Sequence, residues 1–196
     1  MVWAEFMFAH GAGAGMESEF MQTISAKLRE RGVAVRLFDF PYMQKAKALA
    51  KRRPPDKMDK LEQAFFDEIA KRDVDLPLFI GGKSMGGRVA SMIVENTQAQ
   101  GCICLGYPFH PPGKPEKLRT EHLHTMSKPL LVIQGEKDTF GKRAEVEAYS
   151  LSSAIDVLFL TDGDHSFKPN KRSVATLESN IDAAVDAMVS FMENHR

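Results

Sequence analysis

The chain has 196 residues, of which 43% are hydrophobic and 27% are charged, the balance of an ordinary globular protein. Its 26 basic residues equal its 26 acidic residues, which argues against overall attraction to nucleic acid or to an anionic membrane. No apolar run approaches the roughly 20 residues of a membrane-spanning helix, and Glu5 interrupts the apolar N-terminal stretch. We therefore expect a single domain, 1–196, in the cytoplasm, without nucleic-acid or membrane partners.

Short β-branched or aromatic runs alternate with longer amphipathic stretches, a pattern typical of βαβ units that build a parallel sheet. Apolar residues at a spacing of four, such as Phe20, Ile24 and Leu28, predict helices that pack one face on that sheet. The predicted strands are 4–9, 33–38, 77–81, 101–106, 129–134 and 155–160. The predicted helices are 17–31, 57–72, 85–98, 142–150 and 174–194.

A glycine-rich loop, His10–Gly15, follows the first predicted strand. Its small residues allow backbone amides to come close to a ligand. The glycines do not have the spacing of a dinucleotide-binding loop, and no Gly-Lys-Ser/Thr directly follows the loop, so phosphate binding is not favoured. We interpret His10 as a polar group that supports this loop.

A basic segment, residues 45–53, lies in the connection that leaves the second predicted strand, and it contains five cations and no acid. The cations are Lys45, Lys47, Lys51, Arg52 and Arg53. The segment begins at the carboxyl edge of the sheet, where open α/β folds bind their ligands. Two interpretations stay open: the cations attract an anionic substrate, or they form a solvated face balanced by acids elsewhere. Charge runs of this kind usually have no ligand.

A glycine-flanked serine lies between the third predicted strand and the helix that follows it, in Gly82-Lys83-Ser84-Met85-Gly86-Gly87. The pattern Gly-x-Ser-x-Gly between a strand and a helix is typical of a nucleophile elbow. The sharp turn exposes the serine and requires small residues on both sides of it. Ser84 is therefore the predicted nucleophile, and a merely structural glycine-rich turn is the alternative.

A serine nucleophile needs a histidine base, and the base needs an acid that orients it; after this elbow the acid precedes the histidine in the chain. The histidines downstream of Ser84 are His110, His122, His124, His165 and His195. His165 lies just past the last predicted strand, at the carboxyl edge of the sheet, and is the predicted base. Asp138, in the loop after the preceding strand, is the predicted acid. The alternative acids are Glu136, Asp162 and Asp164.

The oxyanion formed during acyl transfer requires two backbone N–H donors. The first is predicted to be the amide of Met85, the residue after the nucleophile. The second is expected from the glycine-rich loop, where we favour Ala12 and keep Gly11 as the alternative. This chemistry requires neither a metal ion nor an organic cofactor.

These motifs resemble the α/β-hydrolase superfamily, and within it the compact dienelactone-hydrolase-like branch. That branch includes small proteins related to testis-expressed protein 30 and the hydrolase-like region of a histone-acetyltransferase complex subunit. The matching pieces are 10–13, 38–42, 81–88, 135–138 and 163–167. The resemblance implies a three-layer core of about six parallel strands with helices on both faces. It also implies an open site without a lid domain, because only about 20 residues separate 101–106 from 129–134.

The resemblance further implies a serine hydrolase that acts on a small ester or thioester through an acyl-enzyme, with peptide and amide bonds less favoured. Some proteins of this branch work chiefly within assemblies. A non-catalytic binding or assembly module on the same scaffold is therefore the alternative. The sequence points to a small-molecule substrate, but it specifies neither the acyl group nor the oligomeric state.

Overall fold

A computed structural model describes all of residues 1–196. Six parallel strands form one sheet in the order β2-β1-β3-β4-β5-β6. The strands are β1 Ala4–Ala9, β2 Val33–Phe38, β3 Leu78–Lys83, β4 Gly101–Leu105, β5 Leu130–Gly135 and β6 Ile155–Leu160. All six were predicted, because central parallel strands are buried on both faces and consist of continuous apolar runs bounded by turn residues.

Six α-helices connect or follow the strands. They are α1 Glu19–Glu30, α2 Pro41–Ala48, α3 Met58–Ala70, α4 Met85–Ile93, α5 Arg143–Val146 and α6 Leu177–His195. Helix α2 was not predicted, because its segment has no apolar repeat and buries only Tyr42. Pro41 occupies its first turn, where the fixed φ of proline favours helix initiation.

Two predicted helices are shorter than expected. The prediction 85–98 is wrong beyond Ile93, because a 3-10 turn follows and both the amide and the hydroxyl of Thr97 donate to the carbonyl of Val94. The prediction 142–150 holds only for the single turn of α5. Beyond that turn the chain makes tighter hydrogen bonds, and the ring of Tyr149 packs 5.5 Å from that of Phe109.

Helices cover both faces of the sheet, which confirms the predicted three-layer core. Helices α1 and α6 bury Ile24 and Met188 on one face. Helices α3 and α4 bury Phe65 and Val89 on the other. The connection 106–129 contains only the 3-10 turn Glu121–His124, so no lid domain interrupts the fold. None of the helices combines the length and the hydropathy that crossing a bilayer requires.

Candidate active site

The backbone of Ser84 has an unusual conformation, with φ 49° and ψ −116°, at the junction of β3 and α4. Glycines on either side make this tight turn possible. A Cβ atom on Gly82 would lie 2.4 Å from the carbonyl carbon of Gly86. A Cβ atom on Gly86 would lie 2.5 Å from the carbonyl oxygen of Ala9 in β1. Side chains at these positions would therefore separate the strand from the helix and move the serine.

The structure brings Ser84, His165 and Asp138 together. Nδ1 of His165 lies 2.7 Å from Oδ2 of Asp138, and its Nε2 lies 2.8 Å from Oγ of Ser84. A carboxylate accepts hydrogen bonds, so Nδ1 carries the proton and Nε2 presents its lone pair to the serine hydroxyl. The arrangement suits removal of the Ser84 proton by His165.

Asp138 is completely buried, and its carboxylate is stabilised by three donors. Besides His165, these are Nε2 of Gln134 at 3.0 Å and the backbone amide of Phe140 at 2.8 Å. A buried carboxylate requires such partners because water is excluded from it. Gln134 itself is fixed by the backbone amide of Tyr107, which donates to its Oε1 at 2.8 Å. Sequence analysis missed Gln134, although a polar residue in the apolar strand β5 was a usable signal.

The imidazole of His165 is held from two further sides. The ring of Phe140 stacks on it, with the ring centroids 4.1 Å apart. The loop that contains His165 also lies close against the end of β5, since a Cβ atom on Gly135 would be 2.3 Å from the carbonyl oxygen of Asp164. The stacked ring of Phe140 restricts the rotation of the imidazole, and the close packing of the loop fixes the backbone position of His165.

The three alternative acids have other partners in the structure. Glu136 accepts hydrogen bonds from Arg143 and from the amide of Asp162, which lower its pKa. Asp162 is paired with Lys137 and accepts a hydrogen bond from the hydroxyl of Ser173, which lower its pKa. Asp164 accepts from the backbone amides of Ser166 and Lys168 and closes their turn. None of the three forms a hydrogen bond or an ion pair with the imidazole of His165.

None of the amides predicted to bind the oxyanion donates to another group of the protein. Met85 begins α4, so its N–H has no acceptor within the helix. The amides of Ala12 and Gly11 donate to no group in the protein. The carbonyl of Gly11 accepts from Nδ1 of His10, and in a trans peptide the following N–H, that of Ala12, points the opposite way.

His10 and Tyr42 fix the glycine-rich loop from behind. The Nδ1–H of His10 donates to the carbonyl of Gly11 at 2.6 Å, and its Nε2 accepts from the amide of Phe40 at 3.0 Å. The hydroxyl of Tyr42 donates to the carbonyl of Ala12 at 2.9 Å. Burial lowers the pKa of His10, so the neutral ring that this pattern requires is favoured. His10 thus has the supporting position expected for it, and Tyr42 is a further support that sequence analysis missed.

Lys83 is a buried cation beside Ser84. Its ammonium donates to the carbonyl of His165 and lies 5.0 Å from the ring centroid of Phe20 and 5.6 Å from that of Phe167. Burial lowers its pKa to about 8, while the charges of Asp138 and Asp164 favour the protonated form. Lys83 therefore links the end of β3 to the loop that contains His165.

A second serine–histidine pair lies elsewhere in the fold. Oγ of Ser91, on α4, lies 2.9 Å from Nε2 of His122 and 2.7 Å from the carbonyl oxygen of Arg88. Ser91 is 1% exposed, and His122 forms no ion pair with a carboxylate. Burial and the neighbouring Arg88 lower the pKa of His122 to about 4. Sequence analysis did not predict this pair.

Ser84 and His165 open onto a cavity of about 340 Å³, which we call the catalytic cleft. Its walls come from the glycine-rich loop, the start of α1 and the loops after β5 and β6. The lining residues are Gly11–Ala14, Ser18, Phe20, Met21, Lys83, Ser84, Phe140, His165 and Ser166.

Residues 3–193 match the family described as the alpha/beta hydrolase domain. The protein therefore belongs to the α/β-hydrolase family, as the sequence motifs predicted.

Solved structures share this fold. Dienelactone hydrolase from Anabaena variabilis is 18% identical with a TM-score of 0.74, and the match covers 99% of this chain and 87% of that chain. An α/β serine hydrolase without a lid from Xanthomonas campestris is 20% identical with a TM-score of 0.70, covering 99% and 83%. Est1E from Butyrivibrio proteoclasticus, solved with ferulic acid bound, is 15% identical with a TM-score of 0.69, covering 98% and 90%.

Proposed function

We propose that this protein is a serine hydrolase that cleaves a small ester or thioester through an acyl-enzyme on Ser84. The observation that supports this most is the hydrogen-bonded chain from Ser84 Oγ through His165 to the buried carboxylate of Asp138. This chain lies at the edge of an accessible cleft, beside backbone amides without other acceptors.

In the first half-reaction, Oγ of Ser84 attacks the substrate carbonyl while Nε2 of His165 takes the hydroxyl proton. The resulting oxyanion accepts hydrogen bonds from the amides of Met85 and Ala12. Asp138 holds the imidazole in the required tautomer and stabilises the imidazolium. Collapse of the intermediate expels the alcohol or thiol, which leaves with the proton held by His165.

In the second half-reaction, His165 removes a proton from water, and the resulting nucleophile attacks the acyl carbon on Ser84. The same two amides bind the second oxyanion. Breaking the bond between the acyl carbon and Oγ releases a carboxylic acid and returns the proton to Ser84. Atoms and charges balance with water as the only co-reactant.

The dimensions of the cleft support a small acyl group, since about 340 Å³ is near the lower limit of small-molecule sites. We also propose that residues 1–196 act as one hydrolase domain of the compact dienelactone-hydrolase-like branch, related to testis-expressed protein 30. The short connection 106–129 and the sheet order support this placement.

The test is covalent labelling with a fluorophosphonate probe, in which Ser84 Oγ displaces fluoride from phosphorus. We expect the wild type and Ser91→Ala to be labelled and to hydrolyse 4-nitrophenyl acetate. Ser84→Ala should do neither while keeping the wild-type circular dichroism spectrum. If folded wild-type protein is neither labelled nor active, the hydrolase proposal is rejected in favour of the binding or assembly module.

A further inference from the structure

We propose that Lys51–Arg53, together with the glycine-rich loop, form a subsite for an anionic group of the substrate, a carboxylate or a phosphate. The inference rests on the proposed function of Ser84. It narrows the substrates of that site to esters or thioesters that carry a negative charge.

The subsite is a second cavity that adjoins the catalytic cleft. This cavity has a volume of about 450 Å³ and shares Ala12 and Gly13 with the cleft. The rest of its lining comes from α2 and from the residues after it, including Lys47 and Lys51–Arg53. A substrate whose carbonyl oxygen is bound by the amide of Ala12 therefore has the basic cavity next to it.

The cations of this cavity differ in how they are compensated. Lys47 is paired with Asp39 and lies 2.6 Å from a carboxylate oxygen of Glu17. The exposed side chains of Lys51, Arg52 and Arg53 form no ion pair and donate to no group of the protein, and no carboxylate lines the cavity. The cavity therefore has an uncompensated positive charge from three side chains, which attracts anions. Guanidinium groups also bind carboxylates and phosphates through two parallel hydrogen bonds.

The backbone on both sides of these cations is conformationally restricted. Helix α2 ends in hydrogen bonds from the amide of Ala50 to Lys47 and from that of Lys51 to Ala46. Ala50 has φ 47°, a left-handed conformation that is unfavourable for a non-glycine residue and reverses the chain. Pro54 and Pro55 follow, and a proline restricts the residue before it to extended conformations. The cations are thus presented by a restricted turn rather than by a flexible linker.

The competing interpretation is a solvated basic face without a ligand, and two matched pairs of esters distinguish it from a subsite. In the first pair the charge is on the acyl group: mono-4-nitrophenyl adipate and its methyl ester. In the second it is on the leaving group: 3-acetoxybenzoate and its methyl ester. We expect the wild type to prefer one anionic ester, and its kcat/KM for that ester to fall with added NaCl.

The decisive variant is Lys51→Gln/Arg52→Gln/Arg53→Gln. We expect it to lower kcat/KM for the preferred anionic ester by about tenfold or more and to change the neutral partner by less than about twofold. Lys57→Gln/Lys60→Gln/Lys71→Gln is the matched control, since it removes the same charge from exposed positions that line neither cavity. This control should retain the preference.

Competition assays identify the anion. Inhibition of the wild type by glutarate, reduced in the triple variant, supports a carboxylate subsite, and the same behaviour with inorganic phosphate supports a phosphate subsite. If fluorophosphonate labels Ser84 but charged and neutral esters respond alike to salt and to the triple variant, the subsite is rejected and the hydrolase remains. If the wild type is neither labelled nor active, the hydrolase proposal fails and the subsite fails with it.

Discussion

Two serine–histidine pairs in this protein have nearly the same hydrogen-bond length but different chemical capacity. Ser84 and His165 lie 2.8 Å apart at the catalytic cleft, and Ser91 and His122 lie 2.9 Å apart beside α4. Each pair is close to a basic side chain, Lys83 in one case and Arg88 in the other. A distance alone therefore does not identify an active site.

The direction of the proton separates the two pairs. The single hydroxyl proton of Ser91 is donated to the carbonyl of Arg88, so its bond with His122 requires Nε2 to be the donor. His122 thus offers Ser91 an N–H and no lone pair. In the other pair Asp138 holds the proton on Nδ1 of His165, which leaves the lone pair of Nε2 directed at Ser84. Only the arrangement at Ser84 and His165 allows the histidine to act as a base.

The surroundings of the two serines also differ. Ser84 lies at a strained turn, next to the first amide of α4 and opposite the glycine-rich loop. Ser91 lies on the buried face of the same helix, where the neighbouring amides are used by the helix itself. The comparison shows that the candidate site is defined by Asp138 and by the unpaired backbone amides of Met85 and the glycine-rich loop. The serine–histidine contact alone does not define it.

The largest effect on activity is expected from replacing Asp138, the acid that orients His165. Without it, the pair Ser84–His165 resembles the pair Ser91–His122, which has no acid. Asp138→Asn should lower kcat for 4-nitrophenyl acetate by about 10⁴-fold, because the amide no longer holds the proton on Nδ1 of His165. Glu136→Gln should change kcat by less than about threefold, since Glu136 contacts Arg143 and not His165. The opposite pattern in steady-state kinetics would transfer the role of acid to Glu136.

A smaller effect, on stability, is expected from the buried cation beside the first pair. Because burial lowers the pKa of Lys83 to about 8 from 10.5, the unfolded chain binds more protons than the folded one between these pH values. Stability therefore rises with pH in that window. Lys83→Met should be more stable than the wild type at neutral pH by about 1–3 kcal/mol.

Urea denaturation across the pH range from neutrality to 10.5 measures this difference. The advantage of Lys83→Met should shrink as the pH rises, while the exposed control Lys57→Met should follow the wild type. A constant difference at all pH values would mean that the carbonyl of His165 and the rings of Phe20 and Phe167 fully compensate the buried charge.

The contrast between the two pairs also indicates which residues of the candidate site can be predicted from the sequence. Ser84, Asp138 and His165 could be predicted from the sequence because each follows a strand of a parallel sheet. The carboxyl ends of those strands lie at one edge of the sheet. Their catalytic roles stay predictions until the variants are measured. Tyr42 could not be identified from the sequence, because it donates to the carbonyl of Ala12, 30 positions away, and no local pattern indicates that contact. Gln134 did carry a signal, a polar side chain in the apolar strand β5 four positions before Asp138, but its role became clear only from the contact itself. Helix α2 was missed for a related reason, since its position depends on burying one tyrosine.

The smallest effect on activity is expected at the second pair. Ser91→Ala and His122→Gln should each leave kcat/KM within about twofold of the wild type, because neither residue lines the catalytic cleft.

The effect of these two variants should instead appear in the free energy of unfolding. The pKa of His122 is lowered to about 4 from 6.5. As the pH falls through this window, His122 therefore binds a proton in the unfolded chain but stays neutral in the folded chain. The wild type should therefore lose stability between pH 6.5 and pH 4 more steeply than His122→Gln does. Parallel urea denaturation and ester hydrolysis test both statements, with His124→Gln as the control from the same 3-10 turn. A large loss of activity in His122→Gln without loss of folding would mean that the second pair takes part in the reaction and that the first pair is not sufficient.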